Sequence, residues 1–433
     1  MNQLSKNTVL FCSVACILSL SYLIYNSILD FGFLTGWDDG WQVINKYTET
    51  WSPDNFKSIL TDYYYGQYSP ANQAIYTLIY HFFGYRPGVF HLMCLALHAG
   101  NSILVFFIIK RLLSTNNVET PKSTVISLSV ALLFAAHPLQ VESVAWISAS
   151  KILVYSFFYL WALWFYFAYI RRKNIFWYMI MIVCFIVSFG GKEQAITFPV
   201  CLLWIDLACR RNFRGWKVWI EKIPVFLLTV FFVYITFQSY HSSLAGLLER
   251  SENYPFIHRI VFTCYSFCEY IIKTFVPFNF LYIYPYPMLA GEPLPFKFWL
   301  YPFIMLIIAL AFWKFWRQRP VWLAVFWFLI HTALMLHIFP LTRANIVADR
   351  YVYLALPGIL FIVVRYFLVF WETKPKLRSV LAGAGLIWVL LICVPANQRT
   401  HIWRDDASLK EKLNLLLQER KGELEQKENE SPK

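Results

Sequence analysis

Charged residues are scarce in this sequence, where only 15% of the 433 residues are Asp, Glu, Lys or Arg. So few charges cannot cover the surface of a soluble protein of this length. The hydrophobic fraction of 58% and the aromatic fraction of 20% instead indicate an α-helical polytopic membrane protein. We expect no soluble domain of any size.

Several chemical motifs are also missing. The sequence has no HExxH motif, no Cys/His ligand spacing and no glycine-rich phosphate loop, so zinc hydrolysis and nucleotide use have no support. Its nine cysteines lie in or beside apolar segments, which is typical of packing residues rather than of disulfides or a zinc site. The net charge of +13 does not indicate nucleic acid, because the basic residues form short clusters between apolar runs.

Eleven apolar stretches are predicted to cross the membrane. The first, at about 8–29, follows Lys6 and is expected to be a retained signal anchor. The others are expected at about 88–109, 123–138, 152–170, 174–190, 194–209, 222–239, 298–313, 321–339, 351–370 and 379–396.

Loop charge predicts the orientation of these spans. With a cytoplasmic N-terminus, the cytoplasmic loops hold seventeen Lys or Arg residues against three acids. These loops are 110–122, 171–173, 210–222, 314–319 and 372–378.

The stretch 259–278 does not fit this alternation as a full span. It contains Glu269 and Lys273 and reaches Pro277, features that a lipid-facing helix avoids but a cavity-lining one tolerates. We therefore predict a re-entrant or interfacial helix.

The first exterior loop, 30–87, is too long for a simple connection. It carries six acids, including the adjacent Asp38 and Asp39 between Trp37 and Trp41. Adjacent carboxylates at a membrane interface often mark a site that handles protons, cations or sugars, although a solvated pair is an equally good interpretation of this dipeptide alone. The apolar segment 72–83 is expected to lie along the membrane surface.

Motifs along nearly the whole chain resemble the transmembrane-and-TPR family of O-mannosyltransferases and its bacterial relatives, which are glycosyltransferases of the GT-C superfamily. Any one motif is weak, whereas so many in one order are specific. They are Trp37-Asp38-Asp39, Tyr65-Gly66, Phe90-His91-Leu92, Leu97-His98-Ala99-Gly100-Asn101, His137-Pro138-Leu139-Gln140-Val141-Glu142, Gly191-Lys192-Glu193-Gln194, Tyr284-Pro285-Tyr286-Pro287, Ala348-Asp349-Arg350-Tyr351, Arg399-Thr400 and Trp403-Arg404-Asp405.

The resemblance implies a GT-C-like domain over 1–397, with 30–87 as its catalytic loop, in a bacterial inner membrane with the active site facing the periplasm. It also implies transfer of mannose or another hexose from a polyprenyl-phosphate donor to an acceptor, with a protein hydroxyl favoured. Transfer to lipid A or a surface polysaccharide, and transport of a lipid-linked sugar, are the alternatives. The acidic pair favours transfer. A transporter would be expected to show an internal repeat, and the sequence has none that we can see.

Two departures from the family matter. Where the family has Arg-Lys-Asp, this chain has Ser150-Lys151-Ile152, so any role of that Asp is absent. A TPR array is not expected either, because 398–433 reads as a short exterior tail. Ser408 and Glu411 predict a capping box for an amphipathic helix over about 408–421.

Transfer from a phosphate-linked sugar needs a base for the acceptor hydroxyl and cations for the leaving phosphate. Asp38, slightly favoured, or Asp39 is the expected base, and the other acid is an orienter or a ligand of a divalent cation, whose need is left open. The expected phosphate ligands are Arg350, Lys192, Arg343 and Lys151. The alternative is structural pairing, Lys192 with Glu193 and Arg350 with Asp349.

Further residues are candidates for positioning the acceptor or the first loop: His91, His137, Glu142, Tyr65 and Tyr351. A structural cap is an equally good interpretation of His137. His98 shares a helical face with His91 and is expected to make a buried hydrogen bond to Asn101 or to a neighbouring span.

Overall fold

The computed structural model describes residues 3–242, 254–338 apart from 279, 282, 289 and 290, and 345–414. Over this part of the chain every regular element is a helix, and the only β interactions are two isolated bridges, Tyr64 with Gln67 and Tyr284 with Val347. The expected α-helical class is therefore confirmed.

In the described part of the chain, twelve helices form the frame of the molecule, and each of the eleven predicted spans overlaps one of them. The long helices are α1 (Gln3–Tyr25), α2 (Pro87–Thr115), α3 (Thr120–Ala136), α4 (Ser150–Arg172), α5 (Ile175–Gly191), α6 (Phe198–Ala208), α7 (Ile223–Ser242), α8 (Phe256–Phe275), α9 (Phe296–Ala311), α10 (Arg319–Thr332), α11 (Leu356–Thr373) and α12 (Arg378–Thr400).

Short helices connect the long ones. The short α-helices are Asp39–Gln42, Lys46–Glu49, Pro53–Thr61, Pro70–Phe83, Val141–Ala145, Trp216–Ile220 and Trp313–Trp316, and the 3₁₀ helices are Asn26–Asp30, Pro138–Gln140, Ile147–Ala149, Glu193–Thr197, Asp349–Val352, Pro375–Leu377 and His401–Trp403.

Six helical segments of the described chain are long and apolar enough to cross a membrane, or seven if α3 and the bent segment after it form one span. The protein is thus an α-helical membrane protein. Of the other predicted spans, α5 and α9 are apolar but shorter, and α6 and α10 have only 11 and 14 residues. An 11-residue helix rises about 16 Å, well short of a hydrocarbon core of about 30 Å.

Hydrogen bonds gather the connecting loops into two groups at opposite ends of the long helices. At one end, which we call the basic end, Lys122 lies 2.6 Å from Glu372, and Arg319 donates to the Leu207 carbonyl at 2.6 Å. At the other, the first-loop end, the Gly32 N–H donates to the Arg404 carbonyl at 3.1 Å. The predicted sidedness of the loops relative to a membrane stays a prediction.

The helix α8 lies at the first-loop end and is not among the six spanning candidates. Ser266 donates to the Ile346 carbonyl at 3.0 Å, and the Thr274 carbonyl lies 3.1 Å from His137 Nε2. These contacts connect α8 to one loop that precedes it in the chain and to one loop that follows it.

The first loop is itself folded into four short helices. Asn45 and Ser52 cap two of them by accepting backbone N–H groups, and the apolar segment 72–83 lies within the helix Pro70–Phe83. This loop is a small helical subdomain rather than an extended connection.

The tail helix starts earlier than predicted. It occupies 406–414 in the described chain, and Asp405 caps it by accepting the Ser408 N–H at 2.8 Å. Ser408 is the third residue of this helix and is therefore not its N-cap. The rest of the predicted helix lies outside the described residues. Asp406 accepts the Gly36 N–H at 2.9 Å, so the tail packs on the first loop.

Candidate functional site

The carboxylate of Asp39 is buried, with only 1% of the residue exposed. It accepts hydrogen bonds from the N–H of Leu34 and the N–H of Ser148, both at 2.9 Å, and from the Ser148 hydroxyl. Burial raises the pKa of Asp39 to about 6, although these donors act in the opposite direction. Asp39 thus joins the first loop to the segment that precedes α4.

Gly40 allows the tight turn that carries both acids. A Cβ at Gly40 would lie 2.2 Å from the carbonyl oxygen of Thr35, which is closer than any real contact. The glycine that follows the acidic pair is therefore required by backbone packing.

Asp38 is half-buried and held more loosely than Asp39. Its carboxylate accepts from Trp41 Nε1 and from Gln42 Nε2, each at 3.3 Å, which is long for a hydrogen bond. The two neighbouring acids therefore differ: Asp39 is locked in place, whereas Asp38 keeps acceptor capacity beside partly open space.

Three of the predicted cations converge near Asp38. Lys151, in the first turn of α4, is within electrostatic reach of Lys192, Asp38, Glu193 and Arg350. These residues come from four separate segments of the chain. The structure thus brings one carboxylate of the first loop together with Lys151, Lys192 and Arg350.

Lys151 and Lys192 are each held by a neutral neighbour. The Lys151 ammonium donates to Gln67 Oε1 at 2.5 Å, and the Lys192 ammonium lies 5.5 Å from the ring centre of Tyr351. Neither contact neutralises the positive charge.

Arg350 pairs with Glu142, not with Asp349. The Arg350 guanidinium forms an ion pair with Glu142, and the Arg350 N–H donates to the same carboxylate at 2.9 Å. Burial lowers the pKa of Arg350, but the carboxylate of Glu142 raises it by more. The pKa of Arg350 therefore lies above its ordinary value. The structural alternative, Arg350 with Asp349, is therefore wrong.

Asp349 has a different cation, Arg399 from the end of α12. Both residues are buried, and Tyr284 also donates to Asp349 at 3.1 Å. Burial raises the pKa of Asp349, against the opposing effect of Arg399. This buried pair joins the end of α12 to the segment that precedes α11.

Aromatic rings flank the cations. The Arg350 guanidinium lies 5.5 Å from the Trp146 ring and 5.2 Å from the Tyr351 ring. Trp146 in turn stacks on Trp403 with ring centres 5.1 Å apart. The rings supply cation–π contacts and apolar surface beside the positive charges.

The histidines lie in structural positions. His137 is fully buried: its Nδ1 accepts the Leu139 N–H at 3.2 Å, and its Nε2 faces the Thr274 carbonyl at 3.1 Å. This geometry is that of the structural cap. His91 is buried, with Nε2 3.5 Å from the Gly32 carbonyl.

His98 bonds to neighbouring segments rather than to Asn101. Its ring nitrogens lie 2.8 Å from the Tyr353 hydroxyl and 3.0 Å from the Ala135 carbonyl. Asn101 donates to the same Tyr353 hydroxyl at 3.1 Å.

The remaining predicted residues are dispersed. Tyr65 is 67% exposed on the first loop, 5.1 Å from the Trp41 ring. Arg343 lies outside the described residues. In the described ranges no group of three or more His, Cys, Asp or Glu side chains is arranged to hold a metal ion.

Sequence reasoning did not name Gln67, Ser148 or Arg399 as site residues, although Arg399 belongs to one of the family-like motifs. Ser148 and Arg399 lie in or beside the family-like motifs, but no spacing rule connects either one with its acid. Gln67 directly follows the Tyr65-Gly66 motif, but nothing in the sequence connects it with Lys151.

A comparison with known protein families and a search of curated proteins each found no match to this chain.

Proposed function

We propose that this protein is a membrane glycosyltransferase that moves a hexose, with mannose favoured, from a polyprenyl-phosphate donor to a protein hydroxyl. The observation that carries the proposal is the convergence of Asp38 with Lys151, Lys192 and Arg350 at the first-loop end. A base and phosphate-binding cations are the two requirements of this transfer.

In the proposed reaction the acceptor hydroxyl oxygen bonds to the anomeric carbon of the sugar. The bond from that carbon to the phosphate oxygen breaks, and the polyprenyl phosphate leaves with the electron pair. Asp38 takes the hydroxyl proton, and Arg350, Lys192 and Lys151 stabilise the phosphate. Asp39 holds the loop in place and does not touch the substrate.

The difference between the two acids supports Asp38 as the base. Asp39 accepts three short bonds and is buried, whereas the two bonds to Asp38 are 3.3 Å long. A base needs free acceptor capacity toward the substrate.

We propose further that all eleven apolar segments cross the membrane in a GT-C-like arrangement. In this arrangement the first-loop end faces the periplasm of a bacterial inner membrane, and α8 is interfacial. The segregation of basic loops at the opposite end supports this orientation.

Transfer by purified protein in nanodiscs tests the proposal. The assay combines hexosyl polyprenyl phosphate with periplasmic proteins and with lipid A, and the intact masses of both fractions are measured. We expect one added hexose per site on protein with the wild type and with Asp54→Asn, an exposed acid of the same loop, but not with Asp38→Asn.

The alternatives give different results in the same assay. A hexose added only to lipid A would assign the glycolipid acceptor. No product in either fraction, together with movement of the donor across the membrane when the same purified protein is placed in liposomes, would identify a transporter and overturn the proposal.

A further inference from the structure

A cavity lies at the basic end, away from the proposed transfer site. Its volume is about 260 Å³. Most of its wall is apolar and comes from α2, α6, α10 and α11, including Ile109, Trp204, Leu323 and Phe361.

Three arginines, Arg210, Arg319 and Arg365, also line this cavity. None of them forms an ion pair within the described part of the chain. The neighbouring acid Asp206 does not balance them, because it is paired with Arg211 and Lys222. The cavity thus has an apolar wall and three arginines that carry positive charge without an acidic partner among the described residues.

Arg365 is the most unusual of the three. It lies in the spanning candidate α11, eight residues before Thr373, which is about 12 Å along the helix. Its Nε is buried and has no hydrogen-bond partner in the described chain. A cation at such depth is costly and usually has a functional partner.

Arg319 is held at the mouth of the cavity by a neutral contact. One of its terminal nitrogens donates to the Leu207 carbonyl at 2.6 Å. This bond orients the guanidinium without neutralising it, so the remaining N–H groups can serve a bidentate anion such as phosphate.

We propose that this cavity binds an anionic phospholipid from the leaflet at the basic end. An acyl chain occupies the apolar wall, and Arg319, Arg365 and Arg210 bind the phosphate headgroup. A phospholipid fits because it combines the two chemistries of the cavity, an apolar chain and an anion. The site does not depend on the proposed transfer activity.

Native mass spectrometry of the full-length protein tests this site. After purification in a neutral detergent, phosphatidylglycerol is titrated against the wild type, Arg319→Gln, Arg365→Gln and Arg214→Gln. Arg214 is an exposed arginine at the same end but outside the cavity, so it controls for loss of one positive charge. We expect about tenfold weaker lipid retention in the two cavity variants and no change in Arg214→Gln.

Competing probes identify the ligand. We expect zwitterionic phosphatidylcholine and inorganic phosphate to compete poorly with phosphatidylglycerol. Equal retention by the wild type and both cavity variants, equal binding of phosphatidylcholine, or displacement by equimolar polyprenyl phosphate would each overturn the assignment. If Arg365→Gln does not fold, Arg365→Lys replaces it. This variant keeps the positive charge but loses the bidentate hydrogen bonding of the guanidinium, so its loss of lipid retention should be smaller than that of Arg319→Gln.

Discussion

The two adjacent acids of the first loop have the same chemistry but different surroundings. Asp39 is buried and fixed by Leu34 and Ser148, whereas Asp38 is half-buried and within electrostatic reach of Lys151 and Arg350. Adjacent residues at a helix start point in different directions, so one can anchor the loop while the other stays accessible.

Replacing each acid in turn separates these roles. We expect Asp38→Asn to lower transfer by roughly 10²–10⁴, the loss typical of a general base, with unchanged thermal stability. Asp39→Asn should lower transfer by a smaller factor, because it affects the loop and not the proton. Donor-dependent transfer and thermal unfolding are measured for both; full activity in Asp38→Asn would place the base elsewhere.

The pH dependence of stability offers a second test of Asp39. Its pKa is about 6 in the folded protein against an ordinary value of 3.8. Because folding raises this pKa, the stability that Asp39 contributes is full below about pH 4 and is lost as the pH rises through 6. Lowering the pH from 7 to 4 should therefore stabilise the wild type relative to Asp39→Asn by up to about 3 kcal/mol.

Thermal unfolding of both proteins in one detergent at several pH values measures this difference. Asp54→Asn, an exposed substitution in the same loop, controls for general effects of removing a carboxyl group. A stability difference that does not change with pH would contradict the assigned environment of Asp39.

Gly40 should tolerate no side chain. In Gly40→Ala the added Cβ would meet the Thr35 carbonyl, so we expect a loss of about 1–3 kcal/mol in stability together with reduced transfer. Gly383→Ala is the matched control, because nothing lies within 4 Å of a Cβ there. Equal behaviour of the two variants in thermal unfolding would show that the turn is more open than described.

At the scale of elements, the ion pair between Glu142 and Arg350 joins the segment after α3 to the segment before α11. Such a pair has a structural role, and the proposal adds phosphate binding by the same guanidinium. The two roles respond differently to substitution.

Arg350→Lys should raise the apparent KM for the donor about tenfold, because Lys keeps the charge but loses the bidentate contact. Glu142→Gln should mainly lower thermal stability, since it leaves the partly buried guanidinium of Arg350 without its acidic partner. Donor titrations and unfolding curves are compared for both variants. If both variants show the same change in donor KM and in thermal stability, Arg350 has only a structural role.

The long helices were predictable because a segment that crosses lipid must be apolar and must form its backbone hydrogen bonds within itself, as a helix does. All eleven runs contain helices, and α8 was distinguished by its Glu269 and Lys273. The helix ends were less predictable. The tail helix, for example, is capped by Asp405 and not by Ser408.

The partners within the site could not be predicted, because they join residues far apart in sequence. Arg350 and Glu142 are 208 positions apart, and Ser148 and Asp39 are 109 apart. Local sequence suggested the neighbour Asp349 for Arg350, whereas the fold gives Asp349 to Arg399. The residue types of the site were visible in the sequence, but the pairing depends on tertiary structure.

At the scale of the whole molecule, the loops sort into two ends with different chemistry. Acids, aromatic rings and the tail helix gather at the first-loop end, and the arginine-lined cavity lies at the other. Proteins of this class keep basic loops in the cytoplasm. We therefore predict that the two proposed sites face opposite sides of the membrane.

This sidedness gives the last prediction. Single cysteines at Arg214 and Lys410, both exposed, are introduced into a cysteine-free variant and labelled in intact cells with a membrane-impermeant maleimide. We expect Lys410→Cys to react before the membrane is opened and Arg214→Cys to react only afterwards. An odd number of crossings separates the two positions if α8 does not span the membrane, because α7, α9, α10, α11 and α12 lie between them. If α8 crosses as well, the number becomes even, and both cysteines react from the same side. That result would reject the interfacial assignment of α8 while leaving the helices themselves unchanged.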